Sequence, residues 1–573
     1  MEARMTSGSP QPLRLAGTVW QVQPGWEHVL FDQHGLRLAQ WLAAGEASPV
    51  KEGAGRVVYR VDLPETQLYL KCYRLRGLRA TSRTLLLRSP ARREHRAACE
   101  LIQRSVPTSV PLAWGERRTL GLASEHFFVT QAISGAITLA DYVDNVLPRL
   151  APQQQCRARR EIPVALARFC AALHQAGIYH HDLHLGNILI RTAMDHGGAD
   201  GIELYLIDLP RVRVGKPLDW PQSRHNLVML HSDWGRHVSR TERWRFWKAY
   251  LAARPELQLG DPRTLAADLT ARSRCYALRL ARSRDKRALR TNRSFLVQRC
   301  QRGTLWSIQG LPPEVGEMLL AGPEAWLRLA GHRIVKLSHR SIVVRVDLTP
   351  SSGSCQAAFK RYRTPSLVKR LLSMVRESRA CRAWRMGHAL LARGIATPRP
   401  LAAFEPRAPL ALGESYLAAE WLPGAMNLHE YLWQLAQLPA AQRAQPCRLL
   451  ATALGRLLAK LHWWNASHAD LKACNILVVD GQGELQTALV DVESVRFYRH
   501  LSLARRARDL ARLAASLQAH PWITRTDRLR FLRAYVGGLP ATAQRDWRNH
   551  WRLIRSLASH IVWRFARRGQ IVA

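Results

Sequence analysis

Two short stretches of the chain, HHDLHLGNILI at 180–190 and HADLKACNILVVD at 468–480, decide its fold. In both, an aspartate stands five residues before an asparagine, and an apolar run follows the asparagine. The two pairs are Asp182 with Asn187 and Asp470 with Asn475. Because the same residue types recur in the same order, we expect the chain to contain one structural unit twice.

The repetition extends well beyond these loops. KEGAGRVVYRVDL at 51–63 aligns with KLSHRSIVVRVDL at 336–348, and SRTERWRFWKAY aligns with TRTDRLRFLRAY near the end of each copy. The period is about 286 residues, which is too long for a solenoid and indicates a duplicated domain. A length of 573 residues also exceeds one compact domain. We predict domains at 1–285 and 286–573, with the boundary in the arginine-rich stretch 271–300.

Each copy changes its hydrophobic pattern part way along. Period-two patterning, as in VVYRVDL and LYLKCYR, comes first and is typical of strands. Helical patterning such as VALARFCAALHQAG follows, interrupted by the Asp-Asn loop and by the short strand YLIDL. The predicted fold class is α+β, with a small β-rich lobe and a larger helical lobe in each copy.

Further polar residues accompany the loops in both copies. A second aspartate ends the next apolar strand, Asp208 in LYLIDLP and Asp491 in TALVDVE, and a lysine lies inside an upstream strand, Lys71 or Lys360. Phosphoryl transfer uses such a set: an aspartate accepts the hydroxyl proton, asparagine and aspartate hold Mg²⁺, and lysine holds nucleotide phosphates.

With these elements in this order, the sequence resembles the protein-kinase-like superfamily. AWRMGHALLARGIATPRPLA and HADLKACNILVVD resemble the lipopolysaccharide core kinases, the Kdo/WaaP and InaA-like family. DLHLGN in copy one also resembles small-molecule phosphotransferases. The resemblance implies two bilobal kinase domains that use ATP and Mg²⁺ to phosphorylate a sugar hydroxyl of lipopolysaccharide core or a related envelope glycan. Alternatives are a protein or small-molecule kinase of this fold, and a binding or scaffold protein with silent copies.

The predicted site residues fall into three groups. The catalytic bases are Asp182 and Asp470, the metal ligands are Asn187, Asp208, Asn475 and Asp491, and the nucleotide-binding residues are Lys71, Gly53, Gly55, Glu94, Lys360 and Lys472. A zinc cluster is disfavoured, because His181, His184 and His468 lack a fourth ligand at zinc spacing.

The copies differ at two predicted contacts. Copy one has glycines in the phosphate loop, whereas copy two has Ser338, His339 and Arg340. Glu94, the predicted partner of Lys71, aligns with Ala383, and Glu377 lies six residues earlier, about 240° away around a helix. Either Glu377 reaches Lys360 through a shifted helix, or the nucleotide site of copy two is weakened.

Charge points to an anionic partner, since 85 Lys and Arg against 43 Asp and Glu leave a net charge of +42. Basic residues are dense at 74–93 and 361–382. The N-terminus lacks the apolar core of a secretory signal, and we expect no transmembrane segment. These features predict a cytoplasmic protein, peripheral at the inner membrane, that meets an anionic lipid-linked glycan or membrane surface.

Other binding and redox chemistry is disfavoured. No RRM, KH, zinc-finger or helix-turn-helix signature supports nucleic-acid binding. Ten scattered cysteines predict reduced thiols. The tryptophans at 547, 551 and 563 are predicted to face the core rather than to stack on bases.

Overall fold

The structure is a computed structural model, and it divides into two compact units, residues 1–279 and 280–573. It describes residues 11–53, 55–74, 89–119, 122–192, 201–235, 237–329, 334–338, 341–347, 356–363, 377–407, 414–481, 484–540, 544 and 547–567. The division falls within the helix Pro262–Asp285, close to the predicted boundary at 285/286, which remains a prediction.

Each unit begins with a seven-stranded antiparallel sheet, and the two sheets share one strand order. In copy one the strands across the sheet are Gln11–Leu15, Thr18–Val22, Pro111–Thr119, Leu122–Gln131, Gln67–Arg74, Arg56–Asp62 and Ala47–Gly53. In copy two they are Phe295–Cys300, Gly303–Ile308, Pro400–Pro406, Ser415–Glu420, Gln356–Tyr362, Ser341–Asp347 and Ile334–Ser338. The lysine strand lies between two neighbours in each sheet, with Lys71 opposite Phe128 and Lys360 opposite Leu417.

One helix packs on each sheet, and we call it the N-lobe helix: Pro90–Gln103 in copy one and Arg379–Leu391 in copy two. A serine caps each at its start, because Ser89 Oγ accepts the Arg92 N–H at 3.2 Å and Ser378 Oγ accepts the Cys381 N–H at 3.1 Å. The matching caps set the same helical register in both copies.

The second lobe of each unit is mainly helical. Copy one has Pro152–Gln175, Trp220–Trp234, Arg240–Ala252 and Pro262–Asp285, and copy two has Leu428–Ala436, Ala440–Trp463, Leu503–Ser516, Arg525–Gly537 and Trp547–Ala566. Three-stranded sheets comprise Ile137–Thr138, Ile188–Thr192 and Ile202–Leu206, and Met426–Asn427, Ile476–Gly481 and Glu484–Leu489. Strand pairs join Ile178–His180 to Val212–Val214 and Ala466–His468 to Val495–Phe497.

Short elements complete the chain. They are Glu27–Leu30, Phe31–Asp32, Gly35–Leu36, Leu38–Ala43, Leu139–Asp141, Tyr142–Val146, Leu147–Arg149, Leu185–Asn187, Leu209–Arg211, Pro255–Leu257, Lys286–Leu289, Pro313–Ala321, Glu324–Leu329, Ala473–Asn475, Val492–Ser494 and Leu517–Ala519. This is the predicted α+β fold of two tandem bilobal kinase-like domains. Among the described residues, no helix is long and apolar enough to cross a membrane.

A left-handed residue lies between the long helix of each second lobe and the short strand before the Asp-Asn loop, Ile178–His180 or Ala466–His468. Gly177 has φ +73°, and an added Cβ would lie 2.2 Å from the Gly215 carbonyl oxygen, so only glycine fits there. Asn465 occupies this place in copy two with φ 55°, a conformation that asparagine tolerates better than most residues.

The expectation for the C-terminal tryptophans is wrong in part. Trp547 is 40% exposed and Trp563 is 53% exposed. The helix Trp547–Ala566 buries His550, Ile554 and Ala558 at four-residue intervals. Trp563 lies nine residues after Ile554, which places it on the opposite side of the helix.

Candidate active site

The predicted catalytic loop of copy one, residues 180–187, is held by hydrogen bonds to backbone carbonyl oxygens. The Asn187 side-chain amide donates to the Asp182 carbonyl oxygen at 2.9 Å, and the Ile207 N–H donates to the Asn187 carbonyl oxygen at 3.0 Å. Asp208 follows Ile207 directly, so the loop places Asn187 and Asp208 side by side. The Asp182 side chain is 51% exposed and open to a substrate.

A charged cluster surrounds Lys71, the predicted phosphate-binding lysine of copy one. Lys71 forms an ion pair with Glu94, and the Tyr73 hydroxyl donates to Glu94 Oε2 at 2.8 Å. Lys71 Nζ is also 3.9 Å from Asp208 Oδ1, and the Arg56 guanidinium is 2.9 Å from the same oxygen. Burial raises the pKa of Asp208, but the charges of Lys71 and Arg56 outweigh burial and hold it below its ordinary value.

Copy two repeats this loop at residues 468–475. The Asn475 side-chain amide donates to the Asp470 carbonyl oxygen at 2.9 Å and to Asp470 Oδ2 at 3.2 Å. The Val490 N–H donates to the Asn475 carbonyl oxygen at 3.0 Å, which places Asp491 beside Asn475. Asp208 and Asp491 share a left-handed backbone, with φ 61° and 57°. Non-glycine residues rarely adopt it, and its recurrence at the same point of both copies is typical of a functional site.

The charged cluster of copy two has a different composition. Lys360 Nζ is 2.6 Å from Asp491 Oδ1 and 3.3 Å from Glu493 Oε1. Lys336 Nζ lies 3.4 Å from Asp491 Oδ2. Burial raises the pKa of Asp491, and the two lysines lower it further than burial raises it, so the carboxyl is held well below its ordinary pKa. Asp491 is therefore an anion throughout the neutral range.

Glu377, one of the two alternatives for copy two, pairs with a different cation. Arg385 binds both Glu377 oxygens, at 2.8 and 2.6 Å. Ala383 occupies the buried helix position that Glu94 has in copy one. The second acid beside Lys360, in addition to Asp491, is Glu493 in the segment that follows.

The structure describes part of each predicted phosphate loop. Gly53 ends a strand and Gly55 lies in the following turn, where an added Cβ would be 3.3 Å from the Arg74 carbonyl oxygen. In copy two, Ser338 donates to the Ser341 carbonyl oxygen at 2.9 Å, while residues 339 and 340 lie outside the described residues. Lys472 is in the catalytic loop, where its carbonyl oxygen accepts the Asn475 N–H at 2.9 Å.

The donor sets suit a hard divalent cation. Each site offers one amide oxygen and one ionised carboxylate, which are ligands that Mg²⁺ prefers alongside water and substrate phosphate. The part of the chain that the structure describes contains no cluster of three or more His, Cys, Asp and Glu residues able to bind a metal. Two protein ligands in each site leave the other coordination positions of such a cation to water and phosphate oxygens.

One supporting residue in each copy escaped the sequence reasoning. In copy one Asn226 accepts the His180 N–H at 3.1 Å and donates to the His180 carbonyl oxygen at 2.9 Å. In copy two Asp509 accepts the His468 N–H at 3.1 Å and the Ser467 hydroxyl at 3.0 Å. Continuing the repeat alignment past Asp208 and Asp491 would have paired these two residues, since both lie 18 positions further along.

The two-lobed fold, the lysine-acid pairs and the Asp-Asn loops define a kinase-type phosphotransferase. The chain belongs to the lipopolysaccharide kinase (Kdo/WaaP) family, whose model matches residues 40–250 and 328–535. It is thus an ATP-dependent kinase by family, with both matches lying within the repeated halves.

Each relative aligns with a segment about as long as most of one copy. Lipopolysaccharide core heptose(I) kinase WaaP of Pseudomonas aeruginosa is 26% identical over 206 residues, 35% of this chain and 75% of the relative. 3-Deoxy-D-manno-octulosonic acid kinase of Xanthomonas campestris pv. campestris strain B100 is 30% identical over 221 residues, 36% and 80%. A solved structure of WaaP in complex with acyl carrier protein is 21% identical, covers 44% of this chain and 97% of that chain, and has a TM-score of 0.33.

Proposed function

We propose that both copies transfer the γ-phosphoryl group of ATP to a sugar hydroxyl of lipopolysaccharide core or a related envelope glycan. The observation that carries this proposal is the repetition of a complete set in each copy: an exposed loop aspartate, an Asn-Asp pair and a lysine held by acids. The sugar class rests on the names of the relatives, which are heptose and 3-deoxy-D-manno-octulosonic acid kinases.

The residues have separate tasks in this reaction. Asp182 and Asp470 orient the acceptor hydroxyl and take its proton as its oxygen bonds to the γ-phosphorus and the bond to the β-phosphate oxygen breaks, releasing ADP. Lys71 and Lys360 position the nucleotide phosphates. Glu94 in turn positions Lys71, and Gly53 and Gly55 bring backbone close to the phosphates. Lys472 adds a cation beside Asp470 for the transferred group.

Asn187 with Asp208, and Asn475 with Asp491, would hold Mg²⁺. The cation would neutralise charge on the phosphates. In the structure Arg56 forms an ion pair with Asp208, and Lys336 forms one with Asp491. We infer that both basic side chains turn toward the phosphates when the metal-nucleotide complex binds.

Activity on envelope material tests the function. The full chain with Mg·ATP and a cell-envelope extract should yield a phosphorylated glycan, identified by mass spectrometry. Asp182→Asn and Asp470→Asn should each remove part of the product and the double variant all of it, while Asp261→Asn, at an exposed helix cap, should change nothing. Loss of all product in one single variant would show that the other copy is silent, and no product from the unaltered chain would refute the sugar assignment.

We also propose that the protein works in the cytoplasm, peripherally at the inner membrane. Much of the basic sequence at 74–93 and 361–382 lies outside the described residues, namely 75–88 and 364–376. Within the described part, the helix Trp547–Ala566 and the residue after it present a basic face without an acid. Its exposed members are Arg548, Arg552, Arg555, Trp563 and Arg567. Arginines beside an exposed tryptophan suit an anionic lipid surface.

A further inference from the structure

The acid that holds the phosphate-binding lysine comes from different elements in the two copies. Glu94 and Ala383 both lie five residues after the serine that caps their N-lobe helix. Ala383 is 1% exposed, in a cluster with Tyr362 and Trp384, so this helix position has no carboxylate in copy two.

The segment after the metal-binding aspartate shows the reverse pattern. Asp208 is followed two residues later by Pro210, and Asp491 two residues later by Glu493. Both segments form one turn of 3₁₀ helix that starts from the left-handed aspartate. Besides the metal-binding aspartate, each copy therefore has one further acid that pairs with its lysine, Glu94 or Glu493. The matching positions without an acid are Ala383 and Pro210.

The acids have equivalent surroundings despite their different origins. Each copy has a tyrosine two residues after the lysine, and this tyrosine donates to the acid: Tyr73 to Glu94 at 2.8 Å and Tyr362 to Glu493 at 3.3 Å. Glu493, like Glu94, is buried. A buried carboxylate is costly unless charged and polar partners satisfy it, and Lys360 and Tyr362 are two of these partners.

A third partner ties Glu493 to the N-lobe helix. Arg379, the first residue of that helix, donates to Glu493 Oε1 at 2.9 Å. The corresponding position in copy one is Pro90, which has no donor. In copy one the helix reaches the lysine directly through Glu94, whereas in copy two it reaches the lysine through Arg379 and Glu493.

We propose that Glu493 is the positioning residue for Lys360 and replaces the helix acid in copy two. This inference rests on the proposed function, because it assigns Lys360 to the nucleotide phosphates. It replaces both sequence alternatives: Glu377 is not recruited, and the nucleotide site of copy two is not weakened by loss of its acid. The N-lobe helix of copy two still contacts the acid of its lysine, because Arg379 binds Glu493 and Glu493 binds Lys360.

Relocating the acid within copy two tests the assignment. In full-length protein with copy one silenced by Lys71→Met and Asp182→Asn, Glu493→Gln should lower kcat/KM for Mg·ATP roughly 10- to 100-fold, as expected for a displaced phosphate ligand. Adding Ala383→Glu to Glu493→Gln should restore most of the loss, because it places a carboxylate where copy one has Glu94. Rescue from a different element would not follow from a merely structural role. Glu377→Gln is the matched control and should leave activity unchanged.

A second measurement does not depend on turnover. Labelling of Lys360 by an amine-reactive reagent, followed by mass spectrometry, should be several-fold faster in Glu493→Gln, because the ammonium loses a buried ion-pair partner. Unchanged labelling and unchanged kinetics in Glu493→Gln would overturn the inference. If the silenced-copy protein has no activity with Glu493 intact, the proposed turnover of copy two fails, and the labelling result decides the inference alone.

Discussion

Asp509 supports the catalytic loop of copy two without touching the reaction, and replacing it should loosen that loop. Its Oδ2 accepts the His468 N–H at 3.1 Å and lies 3.3 Å from His462 Nε2, while Oδ1 accepts the Ser467 hydroxyl at 3.0 Å. Asp509 is 2% exposed, so bulk water does not replace these bonds. Asp470 lies two residues after His468.

The cost follows from the donors that Asp509→Ala leaves without an acceptor. The Ser467 hydroxyl is free to rotate about its C–O bond, but the His468 N–H and the His462 Nε2–H are fixed in direction. We assign the proton to His462 Nε2 because the Asp509 carboxylate only accepts hydrogen bonds, which leaves Nδ1 to accept the Tyr535 hydroxyl at 2.7 Å. A buried donor without an acceptor costs about 1–3 kcal/mol, so Asp509→Ala should destabilise the loop by about 2–6 kcal/mol. Asp509→Asn keeps one acceptor and should cost about 1–3 kcal/mol.

Hydrogen exchange measures this loop directly. A loss of about 2 kcal/mol in local opening free energy accelerates exchange of the His468 amide about 30-fold, since 1.4 kcal/mol is tenfold. Phosphotransfer by copy two should fall in parallel. Asn226→Asp in copy one is the reciprocal control, because Asn226 binds the backbone of His180 there with a neutral side-chain amide. Unchanged exchange in Asp509→Ala, or equal damage from Asp509→Asn, would refute the reasoning that acceptor geometry holds the loop.

Three further outcomes are expected. Lys71→Met should weaken Mg·ATP binding to copy one, measured by calorimetry, and should lower its unfolding temperature because the buried Glu94 loses an ion-pair partner. Unchanged affinity in the folded variant would contradict the phosphate role of Lys71. Copy one should become less stable as the pH falls from 6.5 toward 4, because histidines of the unfolded chain take up protons that the buried histidines of the folded chain exclude. The free energy of unfolding should fall by up to about 1.4 kcal/mol per pH unit for each such histidine. Burial lowers the pKa of these histidines to about 3 or 4: His95, His174, His180 and His231. An unfolding temperature that is flat across this range would contradict it. Binding to anionic vesicles should weaken with salt and with Trp563→Ala, and equal binding to neutral vesicles would exclude the charged-surface proposal.

Some residues of the site could be predicted from the sequence because each lies in a short local pattern. The lysine strand, the Asp-Asn spacing and the strand-end aspartate are local patterns, and their repetition separated them from chance matches. The glycines of the phosphate loop are local as well. Arg56 beside Asp208 is different, since the two residues are 152 positions apart and no local pattern connects them.

The sequence alone contains three features in the same order twice: the lysine, the Asp-Asn loop and the second aspartate. Their order and repetition predicted the kinase-like fold, the duplication and the candidate catalytic residues. Such patterns are readable because each is confined to one strand or one loop, where side-chain direction follows from backbone period. Only the tertiary structure decided which acid meets Lys360. Glu493 lies 133 residues from that lysine, and their contact depends on how the N-lobe helix packs against the turn after Asp491. Helical periodicity predicts the direction of the Glu377 side chain. Only the packed structure shows that Arg385 already binds Glu377 and that Glu493 lies beside Lys360.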